Sequence, residues 1–328
     1  MNLRNLRKAS TACAFGTFLR TWSLPPRAGT LTCMDSTNFG LVCGTTKGFW
    51  ATIPIESNVP ARLSPLSEGQ ELLHIHAQGV FVAGSFFDTV LEKYVVRIAD
   101  QTRQYAPHTT YHPTHVLGGG FVRVNMDLCY FSLSIDGLYV VSSARRGTIV
   151  RIGMLQDIIG NTPVSVSVTE DGMAFVATLD GGLYLVNIEA GTLNSWTKAA
   201  FIPRAVDSIR LRGVRAEYTL AWTSVFGDVV TGHATRRILG QRAGNITTTQ
   251  HANVGRLETL VKIKVGERST VTTQSDMGTS YLLQNGETSR AQCLAVPSPC
   301  LHDILWHSDE KDQIALIRMD DMRDVIYD

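Results

Sequence analysis

The sequence predicts an all-β protein, folded as a single seven-bladed β-propeller with four strands in each blade. The first observation is a phrase that occurs twice, 35 positions apart, in Ser134–Ile152 and Thr169–Ile188. Each copy opens on Asp-Gly, continues as a strand rich in β-branched and aromatic residues, and reaches a second glycine ten positions after the first. Repeats that encode strands rather than helices are typical of radial or solenoid β architecture, with the β-propeller as the leading case.

The second observation is that weaker copies of this phrase occur along the whole chain. The strand–turn–strand pattern is found in Gly40–Ile55, Gly79–Asp100, Ser134–Ile152, Thr169–Ile188, Glu217–Ala234, Ser269–Gly286 and Gln313–Asp328. Another candidate strand precedes most pairs, in the segments TLTCMDS, ELLHIHA, CYFSLS, VSVSVT, VDSIRLR, LETLVKIK and HDILWHS. With a weaker fourth strand behind several pairs, units of about 40 to 45 residues result, which is the expected length of a propeller blade.

The N-terminal segment is predicted to close the ring. The chain ends at Asp328, immediately after the third strand of the seventh unit, and Gly16–Leu24 offers a spare strand followed by Pro25-Pro26. Pairing of residues 16–24 onto the last blade would remove exposed sheet edges that invite aggregation. We therefore predict a basic arm over residues 1–11 and the propeller over residues 12–328.

Composition limits the classes of function. The chain has a formal net charge of +1 with 44% hydrophobic and 18% charged residues, so it can bury a sizeable core. The near-neutral charge argues against a dedicated nucleic-acid binder. No run approaches the roughly 18 apolar residues that cross a membrane. The six cysteines form no CxxC pair, so buried reduced thiols are expected rather than zinc or disulfides.

Three short patterns could carry chemistry, and each has a simpler interpretation. His74 and His76 share one face of a predicted strand, and His112–His115 reads HxxH without the helix that a zinc protease needs. The glycines of Gly118–Gly120 lack the Lys-Ser/Thr and the helix of a phosphate loop, so we expect a flexible entry into a strand. We predict no catalytic residues, no metal and no cofactor.

The ends of the third strands resemble those of WD-repeat propellers, in which an aromatic residue followed by Asp is usual. Val325–Asp328, Arg97–Asp100 and Val186–Glu189 occupy this position, whereas the Trp-Asp pair and the preceding Gly-His pair of the family are missing. The chain is therefore similar to a divergent WD-repeat-like seven-bladed propeller. Small relatives of this kind include the spindle-checkpoint, mRNA-export and coat propellers, and the resemblance implies an adaptor that binds short partner segments.

A rim of exposed turns is the predicted partner site. The residues assigned to it, in turns placed between second and third strands, are Lys47, Arg145, Arg146, Phe226 and Met277. Cations mixed with exposed apolar side chains suit a partner peptide that carries acidic or phosphorylated residues.

The resulting functional prediction is a non-catalytic scaffold or adaptor in a hetero-complex, with protein subunits or short peptides as partners, and with a checkpoint- or kinetochore-type adaptor preferred. We expect no membrane contact, and nucleic acid only within a ribonucleoprotein. The nucleus or cytoplasm is the predicted location. One alternative is a structural subunit of a mitochondrial ribonucleoprotein, because no acidic residue precedes Asp35. The other is a propeller-fold enzyme, a lactonase or dehydrogenase, which needs carboxylates or histidines converging on the central channel.

Overall fold

The protein is described by a computed structural model that covers residues 19–20, 26–37, 40–54, 62–67, 69–102, 104–211, 216–236, 242–254, 259–265, 271–275, 280–283, 292–295, 304–308 and 313–317. Most of these residues lie in strands. The chain divides into two compact units. Unit 1 comprises Met1–His115, Ala144–Gly147 and Pro297–Asp328, and unit 2 comprises Val116–Ser143 and Thr148–Val296.

The described residues of unit 1 form three sheets. The first consists of β2 (Leu31–Thr37), β3 (Gly40–Thr45), β4 (Phe49–Pro54) and β5 (Arg62–Pro65), and the second of β6 (Leu72–Gln78), β7 (Phe81–Asp88), β8 (Lys93–Asp100) and β9 (His108–His112). Both are antiparallel with sequential strand order. The third contains β1 (Leu19–Arg20), β27 (Ile304–Ser308) and β28 (Gln313–Ile317). A 3₁₀ turn, Pro26–Ala28, precedes β2.

In unit 2, the part of the chain that the structure describes forms four sheets. The first consists of β10 (Val116–Val124), β11 (Asp127–Ser134), β12 (Leu138–Ser143) and β13 (Ile149–Met154), and the second of β14 (Pro163–Val168), β15 (Met173–Thr178), β16 (Gly182–Asn187) and β17 (Thr192–Lys198). The third consists of β18 (Pro203–Leu211), β19 (Glu217–Ser224), β20 (Asp228–Thr235) and β22 (Thr247–Asn253). The fourth consists of β23 (Leu260–Val265), β24 (Val271–Ser275), β25 (Ser280–Leu283) and β26 (Gln292–Ala295). A two-residue strand, β21 (Gly244–Asn245), adds to the outer edge of β17. Within the described ranges, α1 (Gln156–Ile159) is the one α-helix, and no helix is long and apolar enough to cross a membrane.

The strand that was predicted to close the ring contacts the C-terminal part of unit 1. β1 pairs in parallel with β28, with Leu19 opposite Ile314 and Arg20 opposite Ala315. The rest of the predicted segment, residues 16–18 and 21–24, lies outside the described residues, as do residues 318–328. Completion of a last blade by residues 16–24, and the boundary after residue 11, stay predictions.

The first strands of six sheets share one irregularity. Each is antiparallel to its second strand, and each has a β-bulge one residue after its first paired position. The bulges lie between Leu31 and Cys33, Leu72 and His74, Val116 and Gly118, Pro163 and Ser165, Pro203 and Ala205, and Leu260 and Lys262. Because a bulge shifts the side-chain alternation and increases the local twist, a bulge at one fixed position gives these strands the same shape.

The sheets of unit 2 pack face to face, and β15 shows why its sequence is almost entirely apolar. Its residues Ala174 and Val176 belong to a buried cluster with the preceding sheet, whereas Met173, Phe175 and Ala177 belong to a cluster with the following sheet. Side chains alternate between the two faces of a strand, so a strand covered on both faces needs apolar residues at every position. The two clusters form the core of this part of unit 2.

Side chains also link successive first strands of unit 2. Asp207 on β18 accepts a hydrogen bond from Ser167 Oγ on β14 at 2.8 Å, and its second oxygen accepts one from the N–H of Val265 on β23 at 2.8 Å. In unit 1, Asp35 stands at the same position after the bulge and accepts a hydrogen bond from the N–H of Ala77 at 2.9 Å. A carboxylate of the first strand thus joins one sheet to the next in both units.

The run Gly118–Gly120 lies within β10 itself, so the expectation of a flexible entry into the strand was wrong. A Cβ atom added at Gly120 would lie 2.9 Å from Cβ of Val168 on β14, and one at Gly118 would lie 3.3 Å from Val166 Cγ1. Here the lack of side chains lets two backbones approach closely. The pattern serves packing between two sheets of unit 2.

The duplicated phrase does not mark equivalent positions in two sheets. Asp136-Gly137 lies in the turn between the second and third strands of its sheet, whereas Asp171-Gly172 lies between the first and second strands of the next sheet. The position equivalent to Gly137 is Gly181, which is 44 residues later rather than 35. The segment CYFSLS is accordingly part of a second strand, β11, and the first strand of that sheet is β10.

Candidate partner-binding surface

One turn recurs between the second and third strands of the sheets in unit 2. It begins with Ser or Thr and ends, three residues later, with a glycine of positive φ, in Ser134–Gly137 (φ 83°), Thr178–Gly181 (φ 85°) and Ser224–Gly227 (φ 81°). Glycine is favoured there because it alone adopts positive φ without steric cost. The sequence pattern S/T-x-x-G therefore encodes a defined turn.

Side-chain hydrogen bonds fix these turns. Ser134 Oγ donates to Asp136 Oδ1 at 2.7 Å, and Thr178 Oγ1 donates to Asp180 Oδ1 at 2.6 Å. In the third turn, Ser224 Oγ donates to Asp228 Oδ2 at 2.6 Å. Hydroxyl and carboxylate groups that bond within their own turn hold the backbone in one conformation. The turns are therefore rigid platforms rather than loose loops.

The carboxylate of Asp180 has the strongest set of partners among the three turns. It accepts hydrogen bonds from Thr178, from Lys198 Nζ at 3.0 Å and from the N–H of Gly182 at 3.2 Å. The hydrogen bond from Thr178, followed by that from Lys198, lowers the pKa of Asp180 to about 2. The carboxylate of Asp180 is thus paired within the protein, and the neighbouring apolar side chain of Leu179 is the group of this turn that is available to a partner.

Large apolar side chains project from the same turns. Leu179 is 59% exposed and Phe226 is 62% exposed. Ile135 and Val225 are also exposed, and Ile202 is exposed just before β18. We call this set of five residues the turn surface of unit 2.

The packing of the first strands places these residues at one end of their sheets. Val206 N–H donates to Ser165 Oγ at 3.2 Å and Ser208 N–H donates to Ser167 Oγ at 3.1 Å, so β14 and β18 run side by side in the same direction. The contacts of Gly118 and Gly120 with Val166 and Val168 show the same for β10 and β14. Because the second strand returns antiparallel to the first, the three second-to-third turns emerge at the end where the first strands begin.

The predicted site residues have different outcomes. Phe226 lies on the turn surface, and Lys47 is exposed in the second-to-third turn of a sheet in unit 1, as predicted. Met277 lies outside the described residues. Whether any of these residues binds a partner stays a prediction.

The predicted placement of Arg145 and Arg146 was wrong. They lie between β12 and β13, the third and fourth strands of their sheet. Consecutive turns of an antiparallel sheet fall at opposite ends, so these exposed arginines are not equivalent to Lys47 or Phe226. The error has a physical cause. Thr169–Gly172 forms the S/T-x-x-G turn after a first strand, whereas Ser134–Gly137 forms it after a second strand. Matching these two turns by sequence therefore assigned the strands of one sheet to positions one strand away from their true ones.

Sequence reasoning missed Ile135 and Val225 and did not assign Leu179 to the site. Each stands at the second position of its S/T-x-x-G turn. An apolar residue at this position of a polar turn was the available signal, because turn tips are normally polar.

Other polar side chains of unit 2 form hydrogen bonds and ion pairs between neighbouring sheets. Tyr218 donates its hydroxyl to Asp171 Oδ2 at 2.6 Å, and Arg210 and Arg236 each lie 3.6 Å from the same oxygen. Burial, followed by the hydrogen bond to Asp171, raises the pKa of Tyr218. Arg210 on β18 and Arg236 just after β20 therefore join a turn of one sheet to the strands of the next.

The described histidines and cysteines of unit 1 show no shared ligand geometry. His115 lies edge-on to Tyr94 with 5.1 Å between ring centroids, and His76 Nδ1 lies 3.9 Å from Asp35 Oδ2. Among the residues that the structure describes, no group of three or more His, Cys, Asp or Glu could hold a metal ion. Cys33 and Cys43 in this unit are buried reduced thiols, as predicted.

In unit 2, Cys129 is likewise a buried reduced thiol, and burial, followed by the charge of Asp127, raises its pKa to about 11. At neutral pH it is therefore protonated and unreactive.

Antiparallel four-stranded sheets that pack through their first strands define the β-propeller class. The chain is similar to a solved structure of this class, the β-propeller domain of Cps50 (Swd1) from Myceliophteria thermophila. The TM-score is 0.68 at 12% sequence identity, over 88% of this chain and 97% of that chain. Neither a protein-family model nor a curated protein sequence matches the chain.

This likeness shows the fold, and the predicted all-β propeller architecture is confirmed. The count of seven blades and the closure of the ring stay predictions. Of the third-strand ends that carried the resemblance to WD repeats, Arg97–Asp100 ends β8, and Val186–Glu189 spans the end of β16. Val325–Asp328 lies outside the described residues.

Proposed function

We propose that the protein is a non-catalytic scaffold that binds partner proteins through the turn surface of unit 2. The observation that carries the proposal is that three fixed turns, from three successive sheets, present large apolar side chains to solvent. Contiguous exposed apolar residues are typical of protein-interaction sites. Rigid turns also reduce the entropy that is lost when a partner binds.

The finer assignment is an adaptor of checkpoint or kinetochore type in a hetero-complex of the nucleus or cytoplasm. It rests on analogy of fold alone. The supporting feature in this chain is the combination of a rigid β scaffold with an apolar binding surface. Acidic or phosphorylated peptide segments are proposed as partners of unit 1, where the exposed cation Lys47 in a second-to-third turn could pair with them.

The test is quantitative recovery of partners with tagged full-length protein. Leu179→Glu with Phe226→Glu places two charges where apolar side chains contact the partner. Loss of two interface anchors at about 2 kcal/mol each lowers affinity by roughly three orders of magnitude, so the partners should disappear from the recovered material. Thr248→Glu, an exposed residue of β22 away from the turn surface, is the matched control and should recover them in full.

Both variants replace exposed side chains, so their unfolding midpoints should match that of the wild type. Undiminished recovery of every partner by the Leu179→Glu, Phe226→Glu protein would exclude the turn surface as the binding site.

A further inference from the structure

The outer strand of one sheet in unit 2 has an apolar edge. β13 is the fourth strand of its sheet and pairs with β12 on one side, and no strand among the described residues pairs with its other side. Ile149 is 55% exposed and Ile152 is 57% exposed. Val150 and Met154 are exposed as well, so the strand presents four large apolar side chains and an open row of backbone groups.

Other outer strands are protected in the ways that natural sheets use. β22 reads TTTQHAN and is polar at every position except Ala252, and β5 reads RLSP, with a charge at its start and a proline at its end. β13 reads IVRIGM and contains one charge, Arg151. The guanidinium of Arg151 donates to the carbonyl of Ile188 at 2.7 Å, so this charge is held against the neighbouring sheet.

The neighbouring sheet shows how such an edge is covered. β21 adds to β17 in parallel, with Ser195 opposite Gly244 and Trp196 opposite Asn245. The next residue, Ile246, is buried and donates its N–H to the carbonyl of Trp196 at 3.2 Å. In this sheet of unit 2, the outer edge of the fourth strand, β17, is therefore covered by an extended segment that comes from the chain itself.

We propose that β13 binds an extended peptide segment of a partner protein by strand addition. The segment forms backbone hydrogen bonds with the outer edge of β13, and apolar side chains at its alternate positions pack on Ile149, Val150, Ile152 and Met154. The partner segment is uncharged at these positions and rich in β-branched or aromatic residues. This site is separate from the turn surface and does not depend on it.

A second copy of this chain fits the edge less well. Six residues at about 3.3 Å each make an edge about 20 Å long. Pairing two such edges buries on the order of 600 Å², which is below the roughly 1,200 Å² of a specific, stable interface. A peptide segment that buries less area still gives a measurable complex at high peptide concentration, and within its parent protein this contact becomes intramolecular when that protein is also held elsewhere.

The test uses the full chain and a displayed library of eight-residue segments with apolar residues at alternate positions. We expect segments selected on the wild-type protein, remade as synthetic peptides, to bind at least about tenfold more weakly to Ile149→Lys, Ile152→Lys protein. Thr248→Lys on the polar edge of β22 is the matched control and should bind them as the wild type does. Ile152→Thr, which keeps β propensity, should give a loss of a few-fold.

Hydrogen exchange locates the bound peptide. Exchange at the amides of Ile149–Met154 should slow when peptide is added. The proposal is overturned if selection returns no segment, if the lysine variant binds the peptides fully, or if the slowed amides lie elsewhere. A concentration-dependent dimer that the lysine variant abolishes would overturn it in favour of a second copy. The Leu179→Glu, Phe226→Glu protein should still bind the peptides, which separates this site from the turn surface.

Discussion

Replacing Asp207 by alanine removes the carboxylate that connects three successive sheets of unit 2. One oxygen accepts the hydroxyl of Ser167 and the other accepts the N–H of Val265, each at 2.8 Å. Asp207 is nearly buried, so water cannot take the place of the lost oxygens. The substitution therefore leaves a backbone donor without its acceptor between β18 and β23.

The size of the effect follows from these two hydrogen bonds. A hydrogen bond to a charged group contributes about 1.5 to 3 kcal/mol to stability. Ser167 Oγ also lies 3.1 Å from Ser208 Oγ and can redirect its hydroxyl to it, so part of one contribution is recovered. We expect Asp207→Ala to lower the free energy of unfolding by about 3 kcal/mol, mainly through the unpaired N–H of Val265. Asp207→Asn keeps one acceptor and should cost about half as much.

Equilibrium unfolding in urea, followed by the fluorescence of tryptophan, measures these differences, because Trp222 lies in the cluster beside β18. Glu217→Ala removes an exposed carboxylate from the neighbouring strand β19 and should change stability by less than about 0.5 kcal/mol. If Asp207→Ala costs no more than Glu217→Ala, the carboxylate of Asp207 does not stabilise the packing of these sheets.

Three further predictions concern a turn, a titration and a close contact. Asp180→Asn should lower the free energy of unfolding by about 1 kcal/mol. Because the pKa of Asp180 is about 2 in the folded protein, this contribution is present above the ordinary pKa of 3.8 and is lost as the pH falls towards 2. Acid-induced unfolding of the wild type and the variant checks this. Burial lowers the pKa of His108, so the unfolded chain binds the proton first and stability should fall below about pH 6.5; His108→Gln should reduce the difference between urea midpoints at pH 7.5 and pH 5.5, and an unchanged difference would contradict this. Gly120→Ala brings a Cβ within 2.9 Å of Val168 Cβ and should cost about 1 to 3 kcal/mol; an unchanged melting temperature would show that β10 and β14 do not approach this closely.

The architecture could be predicted from sequence because strand residues and turn residues alternate with a regular rhythm. Five of the segments proposed to stand ahead of the strand pairs overlap the first strands of four- or five-stranded sheets, among them ELLHIHA for β6 and VDSIRLR for β18. The strands of one sheet, β10–β13, were assigned wrongly because the S/T-x-x-G turn follows a first strand at Thr169 but a second strand at Ser134 and Thr178. A local turn encodes its own shape and not its position in the sheet.

The candidate sites depended on contacts between residues far apart in the chain. Asp207 joins Ser167 and Val265, which are 40 residues before it and 58 residues after it, and no local pattern marks this link. Likewise, the apolar composition of β13 is typical of a buried core strand. The strand is exposed because it is the outermost strand of its sheet, which its own sequence does not indicate. Phe226 was predicted because both its turn and its exposure follow from short-range sequence signals.

Site-specific photo-cross-linking is the sharpest test of partner binding at the turn surface, because it reports which residues touch a partner. A photoreactive phenylalanine derivative is placed at Leu179, at Phe226 or, as a control, at Thr248, and the full chain is illuminated in cell extract. A partner should be cross-linked from Leu179 and Phe226 and not from Thr248. Cross-linking of the same partner from Thr248 alone, with none from either residue of the turn surface, would contradict partner binding there.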